Sequence, residues 1–176
     1  MIKYRISKYN PIYRDRNGTF QNDEWTAVSD IGKKYNDKEL SKEEYLAIEK
    51  KYIRVLKIIM KEKGINKFIV KELEKEFMLS EVCKQLEEVQ IVVSKEERYQ
   101  FREIEEDYTI KYSKVDSILK LLLREGLWCR LMDIESNFSV EIGYEYYMYV
   151  TCSELSNLVI SKIQNNELFI EEFDID

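Results

Sequence analysis

The chain has 176 residues, 44% of them hydrophobic and 12% aromatic, with one proline, five glycines, three cysteines, no histidine and a formal net charge of −6. This composition fits one packed domain over residues 1–176 whose core needs neither disulfide nor metal, and it argues against long disordered linkers. The missing histidine excludes Ser-His-Asp and Cys-His nucleophilic chemistry, imidazole metal ligation and the usual proton shuttle near neutral pH.

Along the chain, Ile2, Tyr4 and Ile6 alternate with Lys3, Arg5 and Ser7, the period of a half-buried strand that Asn10-Pro11 ends. Asn17-Gly18 in "RDRNGTF" suits a tight reversal, because both residues tolerate positive φ. "DEWTAVSDIG" reads as a short strand or turn with Trp25 packed inward. Ser41 opens the clearest helix: Glu44 follows three residues later, so each side chain can satisfy a backbone N–H at the helix start. Tyr45, Ile48, Tyr52, Val55 and Ile59 then recur at helical spacing and Gly64 supplies the stop, which predicts a helix over 42–63.

Between residues 65 and 112 the signals compete. "KFIVKEL" is strand-like, Leu79, Val82, Leu86 and Val89 share a helical stripe, "QIVVS" reads as a strand and "YTIKYS" alternates. Ser113 with Asp116 repeats a helix-start signature, and Ile118, Leu119, Leu122 and Leu123 form an apolar stripe that ends at Gly126. Leu127 to Ile134 and Phe138 to Val150 read as an antiparallel pair of strands. A further helix is expected from Ser153, carrying Leu155, Leu158, Val159 and Ile163 to Asn165-Asn166, and "ELFIEEFDI" closes the chain as a strand. Interleaved strands and helices with an antiparallel pair predict an α+β fold, a mixed or antiparallel sheet with three to four helices.

Cys83, Cys129 and Cys152 form no CxxC pair and suit a reducing compartment as buried free thiols. The N-terminus has no apolar leader core, and no apolar run approaches the ~20 residues of a membrane span. A cytoplasmic chain with no membrane association is expected. Its charge is unevenly placed: residues 1–88 carry 19 basic against 16 acidic side chains, residues 89–176 nine against 18. From Arg130 to Asp176 the cations are Arg130 and Lys162 alone, against ten acids. Such a field repels nucleic acid and attracts basic partners.

No GxGxxG, GxxxxGK or GxSxG occurs, so there is no phosphate cradle or nucleophile elbow. The densest acidic cluster, "REIEED", lies among basic residues and reads as a solvated face rather than a metal site. In "SVEIGYEYYMYV", a period of two puts Val140, Ile142, Tyr144, Tyr146 and Met148 toward the core. Glu141, Gly143, Glu145, Tyr147 and Tyr149 fall on the other face. Rings among carboxylates can hold a basic protein, the rings through burial and the charges through steering; a plain structural strand would use the same tyrosines for packing.

Three segments, "KYRISKYNPIYRDRNGTFQNDEWTAVSDIG", "GYEYYMYV" and "LFIEEFD", resemble a family of small bacterial cytoplasmic proteins akin to immunity proteins of contact-dependent or polymorphic toxin systems. The resemblance implies a cytoplasmic inhibitor of a delivered toxin; the missing histidine and motifs add the expectation of a non-enzymatic chain without cofactor or metal. With the acidic C-terminal third, it leads to the expectation of a basic partner, a nuclease toxin domain, bound through Glu141, Glu145, Tyr147, Tyr149, Glu171 and Glu172. A carboxylate-dependent enzyme and a scaffold or regulatory subunit are the alternatives.

Overall fold

Apolar alternation builds one sheet, and the helical stripes cover one of its faces. A computed structural model describes residues 1–172. It contains nine strands, β1 (Ile2–Ser7), β2 (Lys34–Tyr35), β3 (Lys38–Glu39), β4 (Lys67–Glu74), β5 (Thr109–Lys111), β6 (Trp128–Asp133), β7 (Phe138–Ile142), β8 (Met148–Cys152) and β9 (Phe169–Glu172). The helices are α1 (Lys42–Lys63), α2 (Leu79–Glu88), α3 (Lys95–Glu103), α4 (Val115–Leu123) and α5 (Asn157–Asn165). Seven strands form an antiparallel sheet in the order β5-β4-β6-β7-β8-β1-β9, and β2 and β3 pair separately. The chain is a single α+β domain, with five α-helices among the described residues where the sequence predicts three to four.

On one sheet face Tyr4, Ile6, Phe68, Val70, Cys129, Leu131, Val140, Met148 and Val150 are buried in a single cluster with Tyr52, Val55, Leu56 and Ile59 of α1, Ile118 and Leu122 of α4, and Val159 and Ile163 of α5. The opposite face carries no helix residue of that kind and is half-buried at most strand positions. The α1 boundaries follow the capping box of Ser41 and Glu44 and a left-handed Gly64 (φ 69°).

Several expectations are corrected. "QIVVS" forms no strand: it links α2 to α3, with Ile91 and Val93 dropping into the core. The sequence reading also missed α3, although Ser94 and Glu97 cap its start reciprocally as Ser41 and Glu44 do in α1. The last helix begins at the Ser156 cap rather than Ser153, which leaves Leu158 exposed. The segment Phe138 to Val150 is two strands with a reversal between them, so the alternation breaks and Tyr144, expected in the core, is 96% exposed. The end of the segment expected as the closing strand, residues 173–175, lies outside the described residues. Among the described residues no helix is long and apolar enough to cross a membrane.

A buried ion cluster ties α1 and α3 to the end of α4. Arg124 donates to both oxygens of Glu49 at 2.6 and 2.7 Å and to Glu97 at 2.6 Å, and all three residues are buried. Arg124→Met should destabilise the protein by about 3–5 kcal/mol, because it leaves two carboxylates desolvated and unmatched. Urea unfolding that retains its slope while the midpoint falls is the expected readout.

Burial also sets the alkaline limit of the fold. It raises the phenols of Tyr9, Tyr45, Tyr52 and Tyr146 above their ordinary value of 10, and pushes the thiols of Cys129 and Cys152 up to about 12 and about 11. The unfolded chain ionises these groups first, so their contribution is complete below the ordinary pKa values and is lost as pH rises past about 10. Lys8 and Lys75 act in the opposite sense: burial lowers Lys8 from 10.5 to about 8 and Lys75 below its ordinary value, so the Lys8 share of stability rises between about pH 8 and 10.5 and is complete above it. Stability should fall above about pH 10, because the raised tyrosines and cysteines outnumber these two lysines. A pH series of unfolding free energies, with tyrosinate absorbance of the folded state as a parallel signal, checks the sign.

Candidate functional site

The reversal between β7 and β8 organises the candidate site. Glu145 and Tyr146 both adopt left-handed backbone (φ 60° and 65°), a conformation usually left to glycine or asparagine. Two buried hydroxyls hold it. Tyr9 donates to the Glu145 carbonyl at 2.7 Å, and Tyr52 donates to the Tyr146 carbonyl at 2.8 Å while accepting from the Lys8 N–H at 2.9 Å. The Tyr146 ring is enclosed by Trp25, Tyr45 and Tyr52 with centroids 5.0, 5.7 and 5.0 Å away. Tyr144 and Glu145 are thereby turned into solvent.

On the helix-free sheet face, one row of side chains runs Lys71, Arg130, Glu141, Tyr149, Arg5 and Glu171 across β4, β6, β7, β8, β1 and β9. Its charges are matched. Glu141 bonds Arg130 at 2.9 Å and Lys3 at 3.4 Å, and Glu171 bonds Arg5 at 3.2 and 3.3 Å and forms an ion pair with Arg14 Nε at 3.3 Å. Tyr149 lies under Lys3, whose Nζ is 4.7 Å from the ring centroid. Tyr147, outward by strand period, is only 8% exposed because the loop after β1 covers it; Arg14 bonds its hydroxyl at 3.3 Å and Tyr9 packs on its ring. Glu172 is exposed on the helix-covered side, opposite Tyr4 in register. The structure therefore brings Glu141, Tyr147, Tyr149 and Glu171 onto one face, sets Glu145 at the turn and leaves Glu172 apart. It cancels most of the expected acidic field where Glu141 and Glu171 stand.

Unmatched acid is found at one end of this face. A cleft of about 560 Å³ is lined by Phe77, Leu127, Trp128, Ile142, Tyr144, Tyr146 and Tyr149 together with Glu74, Glu76, Glu125 and Glu141, and no lysine or arginine lines it. The side chains of Glu74, Glu76 and Glu125 make no hydrogen bond or ion pair among the described residues. Each wall has a local cause. A bulge in β4, with Glu72 left-handed at φ 55° and its N–H and that of Leu73 bonded to the Glu106 carboxylate at 3.1 and 3.0 Å, shifts the register so that Glu74 faces Trp128. Glu106 belongs to the "REIEED" cluster, and its role is to hold this bulge.

Trp128 is fixed by its indole N–H, which donates to the Ile142 carbonyl at 2.7 Å. Gly143 is required because a Cβ there would lie 2.7 Å from the Tyr149 ring. Glu125 is left-handed (φ 57°) just beyond α4, and desolvation of its carboxyl with repulsion from Asp30 raises its pKa. Tyr146 contributes a buried hydroxyl that stands beside the Tyr45 phenol. Among the described residues no group of three or more acidic or cysteine side chains could hold a metal ion.

Of the cleft, the sequence reading had identified Glu141 and Tyr149. Glu74, Glu76, Glu125, Trp128 and Tyr144 were missed, because a bulge, a left-handed residue and a reversal gather them without a period in the sequence. The chain matches no family model, no curated protein and no solved structure.

The reversal generates a direct test. The Glu145 side chain makes no hydrogen bond or ion pair among the described residues that offsets its left-handed backbone, so Glu145→Asn should stabilise the fold by about 0.5–1 kcal/mol. Thermal unfolding of the variant should show a higher midpoint.

Proposed function

We propose that this chain is a non-enzymatic immunity protein of the cytoplasm that binds a basic toxin, a nuclease domain, and occludes its active site. The observation that carries this reading is the cleft: four glutamates and five aromatic rings with no cation among the lining residues. A nuclease needs a cationic surface to hold its polyanionic substrate, and a lysine or arginine from that surface supplies the charge the cleft lacks. The rings contribute burial and cation–π attraction. The matched row of Arg130, Glu141, Arg5 and Glu171 contributes register rather than net attraction.

A second reading follows from Glu125. A carboxyl with raised pKa beside other carboxylates in an aromatic cleft is the arrangement of a general acid. Turnover of glycoside or phosphoester substrates that vanishes in Glu125→Gln would favour the carboxylate-dependent enzyme over the inhibitor.

For the inhibitor, steering by the cleft predicts an association rate with a basic nuclease domain that falls as the Debye length shrinks from about 10 Å at 0.1 M to about 3 Å at 1 M salt. Glu74→Gln with Glu76→Gln should slow association about fivefold at low salt and flatten its salt dependence. Tyr144→Ala should instead speed dissociation, by about 2 kcal/mol if the ring is a central anchor. Tyr144 is the better probe than Tyr147, since its truncation opens no cavity. Stopped-flow kinetics indifferent to salt and to both glutamine changes would remove the cleft from the interface.

A further inference from the structure

A second concavity, of about 740 Å³, lies between α1 and α4, and its chemistry is the reverse of the cleft's. Its apolar strip is Leu46, Ile53 and Ile58 of α1. The carboxylates that line it are already matched, Glu49 by Arg124 and Asp116 by Lys57 at 2.7 Å. Lys50, Lys61 and Lys120 make no ion pair among the described residues, and Arg54 bonds only the neutral side chain of Asn166, at 3.3 Å. Four cations thus surround an aliphatic strip without counter-charge, in a chain whose net charge is −6.

We infer that this groove is a docking site for an acidic amphipathic helix of a protein partner. Three features favour that occupant. The lining recurs along α1 at Leu46, Lys50, Ile53, Lys57 and Lys61, so the site is a stripe four turns long, about 22 Å at 1.5 Å per residue, which matches a helix of about 15 residues. A strip between two helices is where a third helix packs, its apolar ridge entering the groove. Its cations flank aliphatic side chains, so a ligand must present leucine-like groups and carboxylates together. A nucleic acid would instead want stacking platforms, and Tyr112, the aromatic residue in the lining, already faces Lys57, with Nζ 5.2 Å from the ring centroid.

The probe is a labelled synthetic peptide of about 15 residues with leucine on one helical face and glutamate on the other, titrated into the full chain at low salt and followed by anisotropy and by backbone amide shifts. Binding with shifts confined to α1 and α4 is expected, with none at Trp128 or Tyr144. Lys61→Glu with Lys120→Glu should weaken it at least about tenfold through like-charge repulsion, and Leu46→Ser by a few-fold, while circular dichroism and the unfolding midpoint stay unchanged. A peptide with lysine in place of glutamate should not bind. Absence of binding at low salt would overturn the inference. So would equal affinity for leucine-free polyglutamate or heparin at the same residues, which would make the groove a plain anion surface.

Discussion

The 143–147 reversal persists because the hydroxyls of Tyr9 and Tyr52 reach the carbonyls of Glu145 and Tyr146 from inside the core. A left-handed residue other than glycine costs about 1–2 kcal/mol, and here two stand in succession. Hydrogen bonds from buried donors, with the Tyr146 ring enclosed by three aromatic neighbours, offset that cost. Most of the cleft depends on this arrangement. It ends β7 at Ile142, whose carbonyl anchors Trp128, and it forces a glycine at 143 where the Tyr149 ring crosses. It also projects Tyr144 away from the core. The tyrosine run is therefore neither a core strand nor a uniform surface; it is a corner whose members have different tasks.

Charge is distributed by topology more than by sequence. The C-terminal third is acidic when counted along the chain, yet β1 inserts between β8 and β9 and brings Lys3 and Arg5 against Glu141 and Glu171. Half-buried pairs of this kind satisfy each other and give the face its register. In the cleft, where β1 does not reach, the carboxylates of Glu74 and Glu76 at the end of β4 and of Glu125 after α4 have no ion-pair partner among the described residues. The α1–α4 groove keeps an excess of cations, the reverse of the cleft's charge.

Local codes were legible in the sequence and long-range ones were not. The α1 boundaries were readable from Ser41, Glu44 and Gly64, and β1 from its alternation, because each signal lies within a few residues. The capping box at Ser94 was equally local but was hidden by the charged look of "KEERYQFRE", a helix whose buried side includes Glu97 and Gln100. "QIVVS" looked like a strand because burial of Ile91 and Val93 imitates period two without any ladder partner. For the site, Glu141 and Tyr149 were found by strand parity. Tyr144 and Tyr147 were misjudged, since the reversal changes parity and Arg14, more than 130 positions away, covers the second ring.

The position of β1 also governs how the chain can fold. Its two neighbours pair Ile6 with Met148 and Tyr4 with Glu172, so the strand finds its first partner only when a segment more than 140 residues further along the chain is in place. Until then both of its edges carry open N–H and C=O groups, and closing such a long loop is entropically expensive. Contacts of this separation slow folding, and an unpaired edge is a template for intermolecular pairing. Lys3 and Arg5, which later match Glu141 and Glu171, meanwhile place like charges along that waiting strand. The same cations that complete the finished face thus discourage two unfinished chains from joining there.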